Sequence, residues 1–462
     1  MNRILLFLFL PLVICCSEEE KKSPTVFFAG EIVNPTSEYV VLYKDDVIID
    51  SAKLDTDNRF AFTLNSINEG LHHFSHSPEL QYIYLEHNDS IQIRLNTIDF
   101  DESLVFSGTN GDINNFLINM FLTNEDEQYL IKNSYCRLEP EAFDAKLDSL
   151  KELKINELKD LQTEITLSKG ALEMANASID YNYFIYKELY PFYHKRRNGE
   201  NTLHPVSKDF YSYRKDIDYE GKNLTYLRPY YNFMLWHFEN LSFMECKEYC
   251  STHDKKVKNK LHFNTHKLRI IDSLAKGKEL RDNLFRNVAV DYLLKVHDKQ
   301  ENNEAFISEF HKFSKNNKHI AEIDSLYIGI KNIQPANKIP NLMVVDVDGN
   351  TKSLQEISKG KKVVFYFWSA TNKRHFNNVV ARVANLTETY PDHTFVGINL
   401  RTDDLRWKTM IGSHKLNPET QFRATDYRDL EQTLMVFNDR NKSVIAEDGI
   451  IVDAFANLYK SF

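Results

Sequence analysis

The stretch that most constrains this chain is residues 361–375, KKVVFYFWSATNKRH. Val363, Val364, Phe365, Tyr366 and Phe367 make a continuous apolar run of the kind a strand buried on both faces requires, and it ends in Trp368. A short polar break follows, after which Phe376, Val379, Val380, Val383 and Leu386 recur at helical spacing. A buried strand handing over to an amphipathic helix predicts a βα unit, whose next strand is supplied by TFVGINL at residues 394–400.

Residues 337–462 continue this alternation. A strand is expected over 342–347, closing on the turn Asp348-Gly349-Asn350, with a short helix over 354–357. Asp403 or Asp404 caps a helix through Trp407 and Met410. Residues 443–446 and 450–452 flank Asp448-Gly449, a strong hairpin signal. Taken together with Ile339-Pro340, Leu354, Gly360-Lys361, Phe367-Trp368, Phe395-Val396-Gly397-Ile398 and Trp407, the segment resembles the thioredoxin-like domain of the TlpA and ResA family of envelope thiol-disulfide reductases, and AhpC/TSA-type proteins more broadly.

That resemblance implies a Cys-x-x-Cys pair at the start of the helix, where the helix N-terminus stabilises a thiolate. Setting Phe367-Trp368 on the family's Phe-Trp puts Asn372 and His375 on the two cysteine positions, with Lys373 and Arg374 between them. It also implies a cis-proline before the strand that leads to Asp448-Gly449, and counting back places Arg440 there. Disulfide exchange needs one sulfur to attack and another to resolve, and no cysteine follows Cys250. The expectation is therefore a degenerate site with neither catalytic residue nor cofactor nor metal. His375 and Thr371 lack an orienting third group. Lys373, Arg374 and His375 set positive charge where the helix dipole disfavours it. They read either as drift in a released site or as a corner that binds an anion or an acidic peptide, aided by Arg440.

The N-terminus carries a second signal. Arg3 precedes an apolar run over residues 4–14, the length of a signal-peptide core. The run ends in Leu12-Val13-Ile14-Cys15-Cys16, which resembles the lipobox of bacterial lipoproteins, with Cys16 the better lipid-attachment residue because Cys15 is smaller than Ile14 before it. Ser17-Glu18-Glu19-Glu20 resembles the export signal that takes Bacteroidota lipoproteins to the outer face of the outer membrane, although a solvated linker reads the same way. A membrane contact through lipid and a cell-envelope location follow as expectations. Nucleic acid is an improbable partner for a chain with 57 basic and 66 acidic residues and a formal charge of −9.

Residues 25–108 read as a β-domain. The runs VFFAGEIV, YVVLY, VIIDSAKL, RFAFTL, QYIYL and IQIRL are separated by turn residues, predicting an antiparallel sandwich or open barrel. The segment resembles the small β-domain that often precedes a thioredoxin-like domain in Bacteroidota lipoproteins. His72, His73 and His76 fall between these runs and read as surface residues, since adjacent strand positions face opposite ways and cannot jointly chelate.

Residues 109–335 read as helical, with Leu147, Leu150, Leu158 and Leu161, then Leu280, Leu284 and Val288, then Phe306, Phe310 and Phe313 at helical spacing. Residues 181–236 are rich in aromatics, among them Tyr183, Tyr186, Tyr190, Tyr230, Phe233 and Trp236, which suit a core or a glycan- or peptide-binding groove. Pro191, Pro205 and Pro229 are expected to break this part into shorter helices. Cys246 and Cys250, four apart, read either as two partly buried thiols on one helix or as a displaced redox pair.

The expected architecture is thus multidomain α+β. A signal peptide (1–15) and acidic linker (16–24) precede the N-terminal antiparallel β-sandwich or barrel (25–108), the helical middle region (109–335) and a C-terminal thioredoxin-like α/β domain (336–462). Three functions remain open: a redox-inactive binding or scaffold module, a TlpA-type oxidoreductase using Cys246 and Cys250, and a surface glycan- or peptide-binding protein.

Overall fold

The computed structural model describes residues 24–246, 257–436 and 441–462, so Cys16, Cys250 and Arg440 lie outside the described residues. The chain divides into two compact units, one running up to Asp216 and including Asn223–Trp236, the other comprising Ile217–Lys222 and His237–Phe462. The architecture is multidomain α+β, and the helices of 109–335 are shared between the two units.

In the first unit, strands β1 (Val26–Val33), β2 (Tyr39–Lys44), β3 (Val47–Lys53), β4 (Arg59–Leu64), β5 (Gly70–His76), β6 (Glu79–Leu85), β7 (Ser90–Asn96) and β8 (Val105–Gly108) form two four-stranded sheets, β4-β1-β7-β8 and β3-β2-β5-β6. Pairing is antiparallel except between β1 and β7, which run parallel. Alternation explains the core: in β4, Phe60, Phe62 and Leu64 point inward while Arg59, Ala61 and Thr63 face out. Phe28 sits at its centre, 5.3, 5.8 and 5.6 Å from the rings of Phe60, Phe62 and Phe74.

The histidine reading is corrected here. His72 and His76 are fully buried and His73 is 8% exposed, so none is a surface residue. They belong to β5, which is covered on both faces. Phe74, on the side of His72 and His76, enters the sandwich core, while His73 packs against Tyr82 and Tyr226 on the other side. Burial pushes the imidazoles of His72 and His73 down to about 4, so both are held neutral at pH 7.

Two adjacent asparagines at the start of the helix Gly111–Asn133 close two sheet edges. Asn114 Oδ1 accepts from Tyr84 N at 2.7 Å and its Nδ2 donates to Tyr84 O at 3.0 Å, pairing the backbone of edge strand β6. Asn115 does the same at 2.9 Å each way for Phe106 of edge strand β8. An amide side chain carries the same donor and acceptor as a peptide group, so the pair stands in for two missing strands.

The helix Lys169–Asn198 runs unbroken through Pro191, contrary to the expected break. Interior proline costs about 3 kcal/mol, and the helix offsets it by burying Tyr181, Tyr183, Tyr186, Leu189 and Tyr190, each worth about 1.5–3 kcal/mol. Pro229 instead opens the helix Arg228–Glu245, where the absent N–H costs nothing, and Pro205 lies in a loop.

The second unit carries a seven-stranded sheet of β9 (Met343–Val345), β10 (Thr351–Ser353), β11 (Lys362–Trp368), β12 (Thr394–Asn399), β13 (Gln421–Ala424), β14 (Lys442–Glu447) and β15 (Ile450–Asn457), in the order β10-β9-β13-β12-β11-β14-β15. Strand β11 is central, parallel to β12 and antiparallel to β14. The helix Lys373–Thr389 joins β11 to β12 and buries Phe376, Val379, Val383 and Leu386 against Val364, Tyr366 and Trp368. A βαβ unit with an antiparallel hairpin on the far side of its first strand is the thioredoxin-type sheet expected from residues 361–375. Among the described residues, no helix is long and apolar enough to cross a membrane.

Candidate functional site

The corner between β11 and its helix is set by Trp368, which is 2% exposed. Its Nε1–H donates to Gln421 Oε1 at 3.1 Å, and Gln421 Nε2 donates to the Tyr366 hydroxyl at 2.9 Å. Burial raises that hydroxyl to about 12. Gly397 makes room for this chain, because a Cβ there would stand 2.3 Å from Gln421 Oε1 and 2.7 Å from the Tyr366 hydroxyl.

Beyond Trp368 the polar break is held by the loop after β12. Thr402 Oγ1 accepts from Ala370 N at 3.1 Å, Arg406 Nη2 donates to Ala370 O at 3.1 Å, and the Ser369 and Thr371 hydroxyls pair at 2.9 Å. Asn372 then serves as the helix N-cap, its Oδ1 accepting from His375 N at 3.0 Å. The first of the two positions implied for cysteine thus holds a residue that starts the helix.

His375 is half-buried, whereas Lys373 and Arg374 are exposed and have no acidic partner among the described residues. Three hollows meet at this corner, one of them lined by Ala370, Lys373, Arg406 and the carboxylate of Asp403. A second, of about 250 Å³, is lined by Trp368, Thr371, Asn372, His375, Arg401 and Glu431, where Arg401 neutralises Glu431 through two bonds of 2.9 and 2.6 Å. The third is an open cleft of about 690 Å³ along the helix, flanked by Arg374, His375, Asn378, Arg382, Asn441 and Tyr459, and no described carboxylate lines it. Arg382 is held in place by Leu458 O at 2.8 Å. Donor-rich walls without carboxylates suit an anionic or carbonyl-rich ligand.

Trp368, Asn372, Lys373, Arg374 and His375 are therefore assembled at one corner, while Arg440 lies outside the described residues. Gln421, Thr402 and Arg406 were missed by sequence reasoning. No local pattern marks them, because they reach the corner only through the register of β11, β12 and β13.

The cysteine reading needs a correction. Cys246 follows the end of the helix Arg228–Glu245 and does not lie on it. It is 4% exposed and disulfide-bonded, and Cys136, the other described cysteine, is free. Its neighbours Phe243, Val257 and Phe263 form a cluster of their own, with no member in the cluster around Trp368.

The aromatic stretch divides. Tyr183, Tyr186, Tyr190, Tyr230 and Phe233 are core residues, whereas Trp236 is 41% exposed. Within the first unit a cavity of about 340 Å³ is bordered by Tyr82, Phe121, Tyr186 and Trp236 together with Ser178 and Asn182. Ser178 and Asn182 are 3% and 8% exposed, and neither side chain has a hydrogen-bond partner among the described residues.

No protein-family model and no curated protein sequence matches the chain. Among solved structures, similarity is found to a protein assigned as a thiol-disulfide oxidoreductase from Bacteroides vulgatus, with 22% identity over 28% of this chain and 91% of that one and a TM-score of 0.25. A thiol:disulfide interchange protein from a Bacteroides species is 20% identical over 26% of this chain and 80% of its own, with a TM-score of 0.23. A secreted disulfide oxidoreductase from Mycobacterium tuberculosis is 20% identical over 25% of this chain and 83% of its own, with a TM-score of 0.20. The thioredoxin-type assignment stands on the strand order and register described above.

Proposed function

We propose that this chain is a cell-envelope lipoprotein, anchored in the outer membrane through lipid on Cys16, whose thioredoxin-type domain has exchanged thiol chemistry for binding. The carrying observation is the corner itself. Asn372 spends its side chain on capping, Arg374, His375 and Arg382 line a cleft with no described carboxylate, and the exposed Lys373 adds a second cation at the same helix start. The ligand this favours is an acidic, carbonyl-rich segment of a protein partner. Ser17 to Glu20 support exposure on the outer face.

The oxidoreductase reading is disfavoured because Cys246 is disulfide-bonded and buried among Phe243, Val257 and Phe263, where a substrate thiol has poor access to its sulfur. Two measurements test the proposal. Purified mature protein is expected to show no turnover in insulin reduction. A glutamate-rich peptide followed by fluorescence anisotropy is expected to bind at least tenfold more weakly to Lys373→Glu/Arg374→Glu. Turnover that survives removal of Cys246 and Cys250, or equal peptide binding by parent and variant, overturns it.

A second reading is favoured by the cavity in the first unit, where an exposed Trp236 face and the unpartnered Ser178 and Asn182 suit a saccharide. On a glycan array, Trp236→Ala is expected to abolish whatever signal the parent gives. A blank array with the parent, or the same signal with the variant, removes this reading.

A further inference from the structure

After the helix Lys169–Asn198 the chain turns back, and four side chains from three separate segments meet. They are Glu139, the residue before the helix Pro140–Glu164; His194, in the last turns of the long helix; and Glu200 and His204, in the loop that follows. We propose that Glu139, His194 and His204, backed by Glu200, form a binding site for a divalent cation of the zinc type.

The donors are grouped as such an ion requires. One ring nitrogen of each histidine and a carboxylate oxygen of Glu139 lie within 4.8 Å of one another. His204 Nε2 is 3.3 Å from Glu139 Oε2, and the two imidazole centroids are 4.4 Å apart. Zinc binds imidazole nitrogen and carboxylate oxygen at about 2.0–2.2 Å, which places tetrahedral donors about 3.3 Å from each other. Closing the triad around an ion therefore takes side-chain rotations only.

The second carboxylate fits a supporting role. Glu200 Oε1 lies 3.0 Å from His204 Nδ1, so with Nε2 on the cation the opposite nitrogen donates to a carboxylate. That arrangement fixes the tautomer of a metal-bound histidine and raises its basicity.

An independent observation concerns the proton on His194, a side chain that is 1% exposed. Asn198 Nδ2 donates to Arg137 O at 3.1 Å, which sets the orientation of the amide, and the same nitrogen lies 3.1 Å from His194 Nε2. An amide nitrogen can only donate, so Nε2 meets it with a lone pair. A cation taken up by that lone pair replaces the Asn198 contact, and Glu200 Oε1, 3.3 Å away on a side chain that is 31% exposed, stands close behind it.

Sequence scanning passes over this site because its ligands follow no motif spacing, and the two histidines are united by the loop alone. The test uses mature protein without an affinity tag, stripped with chelator and titrated with zinc chloride by calorimetry. One equivalent is expected to bind and to raise the melting temperature. Glu139→Gln, at an exposed position, and His204→Gln are each expected to weaken binding by about 10- to 100-fold. His311→Gln, whose ring pairs with Asp324 in the second unit, is expected to bind as the parent does. Cobalt in place of zinc should give the visible absorption of a four-coordinate nitrogen and oxygen site. Absence of saturable binding by the parent, or binding unchanged in both Glu139→Gln and His204→Gln, overturns the proposal and leaves the cluster as histidine–carboxylate ion pairs.

Discussion

Between pH 7 and pH 4 the first unit is expected to lose about 6 kcal/mol of stability through His72 and His73 alone. Burial is the leading cause of both depressed values, reinforced at His72 by Lys44 and at His73 by Arg228 and Lys44, and opposed by backbone hydrogen bonds to Gly70 at His72 and to Tyr226 at His73. In the unfolded chain each imidazole binds a proton near pH 6.5, whereas in the fold each stays neutral down to about 4. The unfolded state therefore holds the extra protons, so stability is intact above pH 6.5 and falls as the pH drops toward 4. Each group contributes about 1.4 kcal/mol per pH unit across that window, or about 3 kcal/mol in all. Asp89 and Glu127, whose carboxyls burial raises, act in the opposite sense. The histidine share is best read as a difference between proteins. Urea unfolding of His72→Phe at pH 7, 5.5 and 4 is expected to show about half of the parent's acid-induced loss. Superimposable pH profiles for the two proteins would remove His72 as a cause.

That buried histidine pair also shows where the sequence was legible. VFFAGEIV and RFAFTL become β1 and β4 residue for residue, because alternation with one solvated face leaves an unambiguous pattern. GLHHFSH has no such alternation, since β5 is covered on both faces and hydrogen-bonded polar residues fill the space. His72 Nδ1 bonds Gly70 O at 2.9 Å, and His76 Nε2 accepts from Thr36 N at 2.9 Å. At the corner, the strand, Trp368 and the helix were readable because hydrophobic period and hairpin chemistry are local. The bonds that shape it, Trp368 to Gln421 and Ala370 to Thr402, join positions 53 and 32 residues apart and leave no local trace. Pro191 shows the converse, a strong local signal overridden by the aromatic face around it.

Glu188→Ala is expected to destabilise the first unit by about 3–5 kcal/mol. Glu188 lies on the long helix, fully buried, and its carboxylate accepts from the Tyr213 hydroxyl at 2.8 Å, Arg214 Nε at 3.0 Å and Arg214 Nη2 at 2.5 Å. The Arg214 guanidinium stacks 3.7 Å over Tyr211 and retains 20% of its side-chain exposure. Removing the carboxylate strands that cation in a place it cannot leave without breaking the stack, and deprives Tyr213 of its acceptor. The cost is thus the uncompensated partners and not the net worth of the pair. Glu188→Gln, which keeps an acceptor but not the charge, should cost less, and Glu188→Ala combined with Arg214→Met should recover part of the loss. Urea denaturation of the parent, Glu188→Ala, Arg214→Met and the double variant closes a double-mutant cycle. If Glu188→Ala costs under about 1 kcal/mol, or the double variant is no better than the single one, the buried ion pair does not tie the short helix Lys208–Asp216 to the long helix.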